Sequence, residues 1–465
     1  MLNSIQLAGL VVIALLLLSQ LLFALKRDRP VLLIVTLMFF VYFIYASGIR
    51  LDWYIREWST NFVVSEHYVT IATWFVVLIV IAAWCGYSVP QGAKAAGASH
   101  AVVSYDQLLL LNLLGLGAIA LSFYMRGGIV SVWSRTARDA PSAWYGVVTG
   151  LSVLGLIYPL FNYYYSEDST VPRLLISTVI LAVYFVSAML SGVTHEHAPG
   201  LAAFMLVWLK RRKLSLRTAL LVLVGGFALV SAMRFSRVLG ATLYLGGDLS
   251  DAYAAYWDPD NVLNAANSFG EFIVFSKIVE VVDTHTDWQL GKSYLLVFES
   301  LVPSTLLPGK TEMLRDSDSQ GFLASYYGYS GDYWTSGFYG EAYINFGLPG
   351  LVVVSYLVGM VIRRAELLLS SGGSMSWLPH WYVGCLLTGA LLGAFRTDIE
   401  VAFLEFVMRP IGLAIAFGGL MSLLLPYGPV EIVGVAGASA RLRPDRANDV
   451  ATECIAQLPT RPGGD

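Results

Sequence analysis

Apolar residues in this chain come in long unbroken runs separated by short polar breaks. A run of about 20 residues is what a helix needs to cross roughly 30 Å of hydrocarbon. Runs of this kind predict membrane-spanning helices at 5–25, 31–46, 68–87, 107–125, 144–163, 171–190, 198–209, 215–233, 347–362, 377–395 and 402–425, eleven in all within a range of ten to twelve. The seventh is the shortest. The expected fold class is an all-α polytopic membrane protein. Its organisation is an N-terminal bundle of about eight spans over 1–233, a large external loop over 234–346, three further spans over 347–425 and a polar, disordered tail over 426–465.

The interruption at 234–346 is neither continuously apolar nor polar enough for disorder, so it predicts an ordered extramembrane unit. Within it, Phe269, Phe272, Ile273, Ile278, Val279 and Val282 fall at helical spacing over 267–283. That pattern predicts an amphipathic helix lying on the membrane or capping the bundle. The patch 294–309 is broken by Pro303 and Pro308, and is read as returning to the membrane surface without crossing it. The stretch 320–349, QGFLASYYGYSGDYWTSGFYGEAYINFGLP, is dense in aromatic residues and glycine and runs straight into the ninth span. Such rings suit a sugar-stacking surface, and equally an aromatic belt at the headgroup level.

Composition agrees with the pattern: 57% of residues are hydrophobic, only 13% are charged, and mean hydropathy is +0.66. A formal net charge of -3 with no basic stripe argues against a nucleic-acid partner. Cys85, Cys385 and Cys454 show no disulfide framework and no metal-ligand spacing. The first apolar run has its basic residues behind it, at Lys26, Arg27 and Arg29, as in a retained span and not a cleaved leader. No P-loop, GxGxxG, HExxH or GxSxG occurs in a fitting context.

Lys and Arg in short loops orient the chain. With eleven spans, Lys26, Arg27 and Arg29, then Lys94, then Lys210 to Lys213, then Arg363 and Arg364 share one side, expected to be cytoplasmic. The N-terminus is then external and the C-terminus cytoplasmic. Against that rule, Arg126, Arg135, Arg138, Arg234, Arg237 and Arg396 fall on the outer side at span ends. They are candidates to hold an anion near the headgroup plane. Snorkelling, or pairing of Arg138 with Asp139 and of Arg396 with Asp398 and Glu400, is the plain alternative.

Glu341, at the start of a span, is a candidate base for a hydroxyl, since burial raises a carboxyl's proton affinity. A carboxylate beside a helix amino end is also a structural feature in its own right. Asp332 and His195 are weaker candidates for the same work. The pair His195 and His197 lies in a segment expected to turn between two spans, and lacks a third ligand nearby, so no metal is expected. Tyr326, Tyr327, Tyr329, Tyr333, Trp334 and Tyr339 are candidate stacking rings.

The run PSTLLPGK (303–310), the aromatic and glycine stretch, GEAYINFGLPG (340–350) opening a span, and RGGIVSVWSRTAR (126–138) on an external loop together resemble the Wzy-type oligosaccharide repeat-unit polymerases. One departure is SGVTHEHAPG, where many relatives open the seventh span with a small residue and arginine. The resemblance implies a multispanning glycosyltransferase of the GT-C type in the bacterial inner membrane, working without metal or other cofactor. It implies undecaprenyl-pyrophosphate-linked glycans as donor and acceptor, joined at the periplasmic face. It also implies pathway partners, a flippase and a chain-length regulator. Within that reading Glu341, Arg135 and Arg396 are catalytic. Arg126, Arg138, Arg234, Arg237, Asp332, Tyr327, Tyr333, Trp334 and Tyr339 bind substrate. An O-antigen ligase-like transferase shares nearly every one of these features. A lipid-linked glycan transporter or flippase would need charge along its spans, which are almost free of it, and a structural scaffold needs no site at all.

Overall fold

The computed structural model describes residues 3–45, 64–90, 105–133, 154–164, 170–191, 194–210, 213–257, 271–285, 288–295, 337–370 and 377–395. Among these residues no strand forms and thirteen α-helices do. Five of them are long and apolar enough to cross a membrane: α1 (Ser4–Lys26), α3 (Glu66–Ser88), α7 (Val171–Ser191), α9 (Leu216–Tyr244) and α12 (Gly337–Ser370). Shorter apolar stretches lie in α2 (Pro30–Phe39, extended by a π-helical turn Phe40–Tyr45), in α4 (Tyr105–Met125) over Asn112–Met125, in α8 (Thr194–Lys210) over Gly200–Leu209 and in α13 (Trp377–Ala394) over Val383–Ala394. The remainder are short: α5 (Ile129–Trp133), α6 (Ile157–Tyr164), α10 (Leu249–Trp257) and α11 (Glu271–His285). The chain is thus a helical membrane-embedded protein. The expected eleventh span, 402–425, lies outside the described residues, as does the first half of the fifth.

One group of helices gathers around α12, which packs on α2, α3, α11 and α13, while α1 packs on α2 and α3. A second group joins α4, α5, α6, α7, α9 and α10. Helix α8 touches members of both, α2 and α13 on one side and α6 and α9 on the other. Leu, Val and Ile on α1, α7 and α9 stay exposed along one face, for example Leu15, Leu22, Leu175, Val179, Leu221 and Val224. Lipid tails cover such a face at no hydrophobic cost, so an apolar exterior is expected here.

The two ends of the bundle are marked by polar contacts. At one end, the Leu214 N–H donates to Asp28 Oδ1 at 3.1 Å, and Val31 and Leu32 N–H donate to Glu366 Oε2 at 3.0 and 3.2 Å. The Arg363 guanidinium lies 5.5 Å from the centre of the Tyr87 ring at the same end. Three of the four basic loops therefore meet. At the opposite end Asn3 Nδ2 donates to Thr70 Oγ1 at 2.9 Å, and the Tyr68 hydroxyl donates to Asp283 Oδ2 at 2.7 Å.

Two sequence expectations are corrected here, and one of two alternatives agrees with the packing. The eighth span does not stop at 233: α9 continues unbroken to Tyr244, so Arg234 and Arg237 lie within a helix and not on a loop. Over the described part of the amphipathic pattern, Glu271–His285 form α11, and Phe272 to Val279 are all buried as it packs against α3 and α12, which agrees with the expected alternative of a helix capping the bundle. His195, Glu196 and His197 belong to the first turn of α8, not to a hairpin turn.

Candidate functional site

Helix α12 starts ten residues before the span read from hydropathy and breaks at Gly347, whose φ of 61° and ψ of -148° are open to glycine alone. The break follows from the sequence NFGLP. Pro349 has no N–H to return to the Asn345 carbonyl, and Gly347 permits the chain to leave helical geometry. Two carbonyls just before the break would be stranded in an apolar setting. The segment 288–295 takes them up, with Gln289 N–H donating to the Ile344 carbonyl and Leu290 N–H to the Asn345 carbonyl, each at 2.9 Å. A tight turn closes this segment, Lys292 N–H reaching the Gln289 carbonyl at 3.1 Å, with Leu290 and Gly291 both at positive φ.

That docking delivers a side-chain network to the first turns of α12. Ser293 Oγ donates to Glu341 Oε1 at 2.5 Å, and Asn345 Nδ2 donates to Ser293 Oγ at 2.7 Å and to the Glu341 carbonyl at 2.9 Å. All three residues are buried. The direction of the chain is fixed. Because Asn345 Nδ2 occupies the serine's acceptor side, the single hydroxyl proton of Ser293 points to the carboxylate, which is held as an acceptor. The amide orientation is equally fixed, since a flipped Asn345 would set its oxygen against the Glu341 carbonyl. Phe275 and Phe43 close the inner side through edge contacts with Tyr339 at 5.2 Å.

Glu341 sits far from the end where the basic loops meet. Twenty-five positions separate it from Glu366 on the same helix, and the part beyond the break, from Leu348 to Glu366, alone rises roughly 27 Å at 1.5 Å per residue, close to one hydrocarbon thickness. The last described residue of α13's strand of chain, Phe395, packs on the start of α12, 5.5 Å from Phe338, and also on Phe39 and Tyr42. Arg396 follows it by one position and lies outside the described residues.

A second neighbourhood forms around the arginines. Arg126, at the carboxyl end of α4, is buried. The glycine pair that follows it turns the chain into α5, and Trp133 Nε1 at the end of α5 donates to the Ser236 carbonyl of α9 at 2.7 Å. The segment that begins at Arg126 is thereby fastened to the stretch of α9 that carries Arg234 and Arg237. These two lie roughly 27 to 32 Å along α9 from Leu216. Arg237 is half-buried. Two of the three arginine-bearing stretches predicted from sequence therefore adjoin.

Arg135, Arg138, Asp332, Tyr327, Tyr333 and Trp334 lie outside the described residues. Tyr339 does not offer the open ring expected of a stacking residue: it is fully buried among Phe43, Phe275 and Phe338 and serves the core. Among the described residues, an open ring stands at Trp288, 49% exposed beside the break at Gly347. Ser293, Asn345 and Trp288 were not read from the sequence. Among the described residues, no group of three metal-ligating side chains gathers. Comparison with protein-family models, curated proteins and solved structures found no match.

Proposed function

We propose that this protein polymerises undecaprenyl-pyrophosphate-linked oligosaccharide repeat units into a surface polysaccharide at the periplasmic face of the bacterial inner membrane. On this reading it is a metal-independent membrane glycosyltransferase of about eleven spans, with the N-terminus periplasmic and the C-terminus cytoplasmic. The observation that carries the reading is Glu341: a buried carboxylate, oriented by Ser293 and Asn345, at the end of the bundle opposite the basic loops.

Chain transfer needs a base for the acceptor hydroxyl and cations for the pyrophosphate that leaves. Glu341 accepts the proton of the sugar hydroxyl as the new glycosidic C–O bond forms. The bond between the donor's anomeric carbon and pyrophosphate breaks, and the carrier pyrophosphate departs with the electron pair. Arg126, Arg135, Arg138, Arg234, Arg237 and Arg396 supply the guanidinium groups that receive it. Partners are the lipid-linked donor and acceptor, the membrane lipid, and a flippase and chain-length regulator of the same pathway.

A transporter is disfavoured because the buried charged side chains of the described apolar spans, Arg126, Glu341 and Glu366, stand near helix ends and mark no route through the middle. The test is the polysaccharide ladder of the native host. Arg135→Ala and Arg396→Ala at unchanged protein level are expected to collapse it to a single capped repeat. An unchanged ladder in both variants removes these residues from the mechanism. Intact polymer left on the carrier, with no capping, assigns the protein to the ligase reaction instead.

A further inference from the structure

The network around Glu341 leaves two side-chain oxygens with nothing to accept. Asn345 Oδ1 and Gln289 Oε1 are buried and have no hydrogen-bond partner among the described residues. An acceptor in that state costs free energy comparable to a lost hydrogen bond, which a donor-bearing ligand would recover. Both belong to the same small construction, since Gln289 and Leu290 are the residues whose N–H groups bind the Ile344 and Asn345 carbonyls. Beside them the indole of Trp288 leans on the break in α12, where a Cβ on Gly347 would come within 2.6 Å of its ring, and its other side is exposed.

We infer that Trp288, Gln289 and Asn345 form a subsite for one neutral, hydroxyl-bearing sugar ring. The ring stacks on the exposed indole while its hydroxyl or acetamido protons go to the Gln289 and Asn345 side-chain oxygens. Both oxygens are acceptors and neither carries charge, so the subsite selects donor-rich sugars. It disfavours a sugar acid, whose carboxylate would meet two acceptors beside the Glu341 carboxylate. The subsite rests on the polymerase reading only for the statement that this sugar belongs to the repeat unit. It places that unit next to Glu341, with the stacking ring that Tyr339 does not provide.

Two substitutions probe the subsite while keeping the backbone bonds of the 288–295 segment to α12. Gln289 holds its structural bond through its backbone N–H, so Gln289→Leu keeps that bond and removes the side-chain carboxamide, whose oxygen binds nothing among the described residues. Trp288→Leu removes an exposed ring. The probe is the repeat-unit oligosaccharide, released from its carrier by mild acid in a host lacking this protein and tagged at its reducing end. Binding is read by fluorescence anisotropy with the full chain in lipid nanodiscs. Each variant is expected to weaken binding about tenfold, as for one lost hydrogen bond or stacking contact. Trp257→Leu, another exposed tryptophan on α10, is expected to bind as the wild type does. No saturable binding by the wild type, or unchanged binding in both subsite variants, overturns the inference. The readout requires no turnover. A failed subsite therefore leaves the ladder experiment standing, and a ladder indifferent to Arg135→Ala and Arg396→Ala leaves the binding result standing.

Discussion

The Leu290 N–H meets the Asn345 carbonyl at 2.9 Å, the carbonyl that Pro349 cannot serve. A helix break in an apolar setting is thus repaired by a segment about fifty residues earlier in the chain. The repair depends on Gly347, not on the proline alone. Gly347→Ala forces a side chain into a conformation reserved for glycine and pushes a methyl against Trp288, at a cost on the order of 3 kcal/mol. Pro349→Ala leaves the glycine break in place and is expected to change stability by less than about 1 kcal/mol. Thermal unfolding in detergent compares them, and an alanine at 347 as stable as the wild type contradicts the kinked geometry.

Glu366 caps the amino end of α2, taking the N–H groups of Val31 and Leu32. Its removal strands two buried donors at a helix terminus whose dipole also favours an anion. Glu366→Ala is expected to lower stability by about 2 kcal/mol, while Glu366→Gln keeps an acceptor oxygen and loses less. Equal losses in the two variants would show that the capping bonds are not what the residue contributes.

Trp133 fastens the segment after Arg126 to α9 through the Ser236 backbone carbonyl at 2.7 Å, with the Ser236 hydroxyl farther off at 3.2 Å. Trp133→Phe therefore costs about 1 kcal/mol from the lost donor alone, and Ser236→Ala costs less than half of that. The reverse order in denaturation midpoints would assign the bond to the hydroxyl.

Single cysteines reveal which polar contacts share a face of the membrane. Asn3→Cys and Asp283→Cys are expected to react with an impermeant thiol reagent from one side, and Asp28→Cys and Arg364→Cys from the other, against a background lacking the native cysteines. Asn3 and Asp28 stand at opposite ends of α1, roughly 35 Å apart. Labelling of both from one side would mean that α1 does not cross.

Much of the helical frame was legible because lipid requires long uninterrupted apolar runs, and these survive as plain text at 5–25, 68–87 and 171–190. Where apolar character thins, hydropathy marks an element shorter than the helix. Helix α9 continues through MRFSRVLG although its arginines end the hydropathy signal, and α12 begins at Gly337 inside a stretch whose aromatic and glycine content reads as loop. Glu341 was legible from its place at the edge of a span. Ser293 and Asn345 were not, because hydrogen-bonded partners so distant along the chain leave no periodicity. A hint did exist in NFGLP, where glycine and proline before an apolar run announce carbonyls that another segment must satisfy.

Helices α3 and α12 meet main chain to main chain: a Cβ on Gly86 would fall on the Tyr356 carbonyl oxygen, and one on Gly359 on the Ala83 carbonyl oxygen. At such a crossing there is no room for even a methyl group, and no neighbouring side chain can shrink to make some. Over evolutionary drift, loops and lipid-facing positions of this chain are free to change their identity, whereas these two are pinned. A distant descendant that shares almost no other letters should still be recognisable by a hydrogen atom in place of a side chain at both.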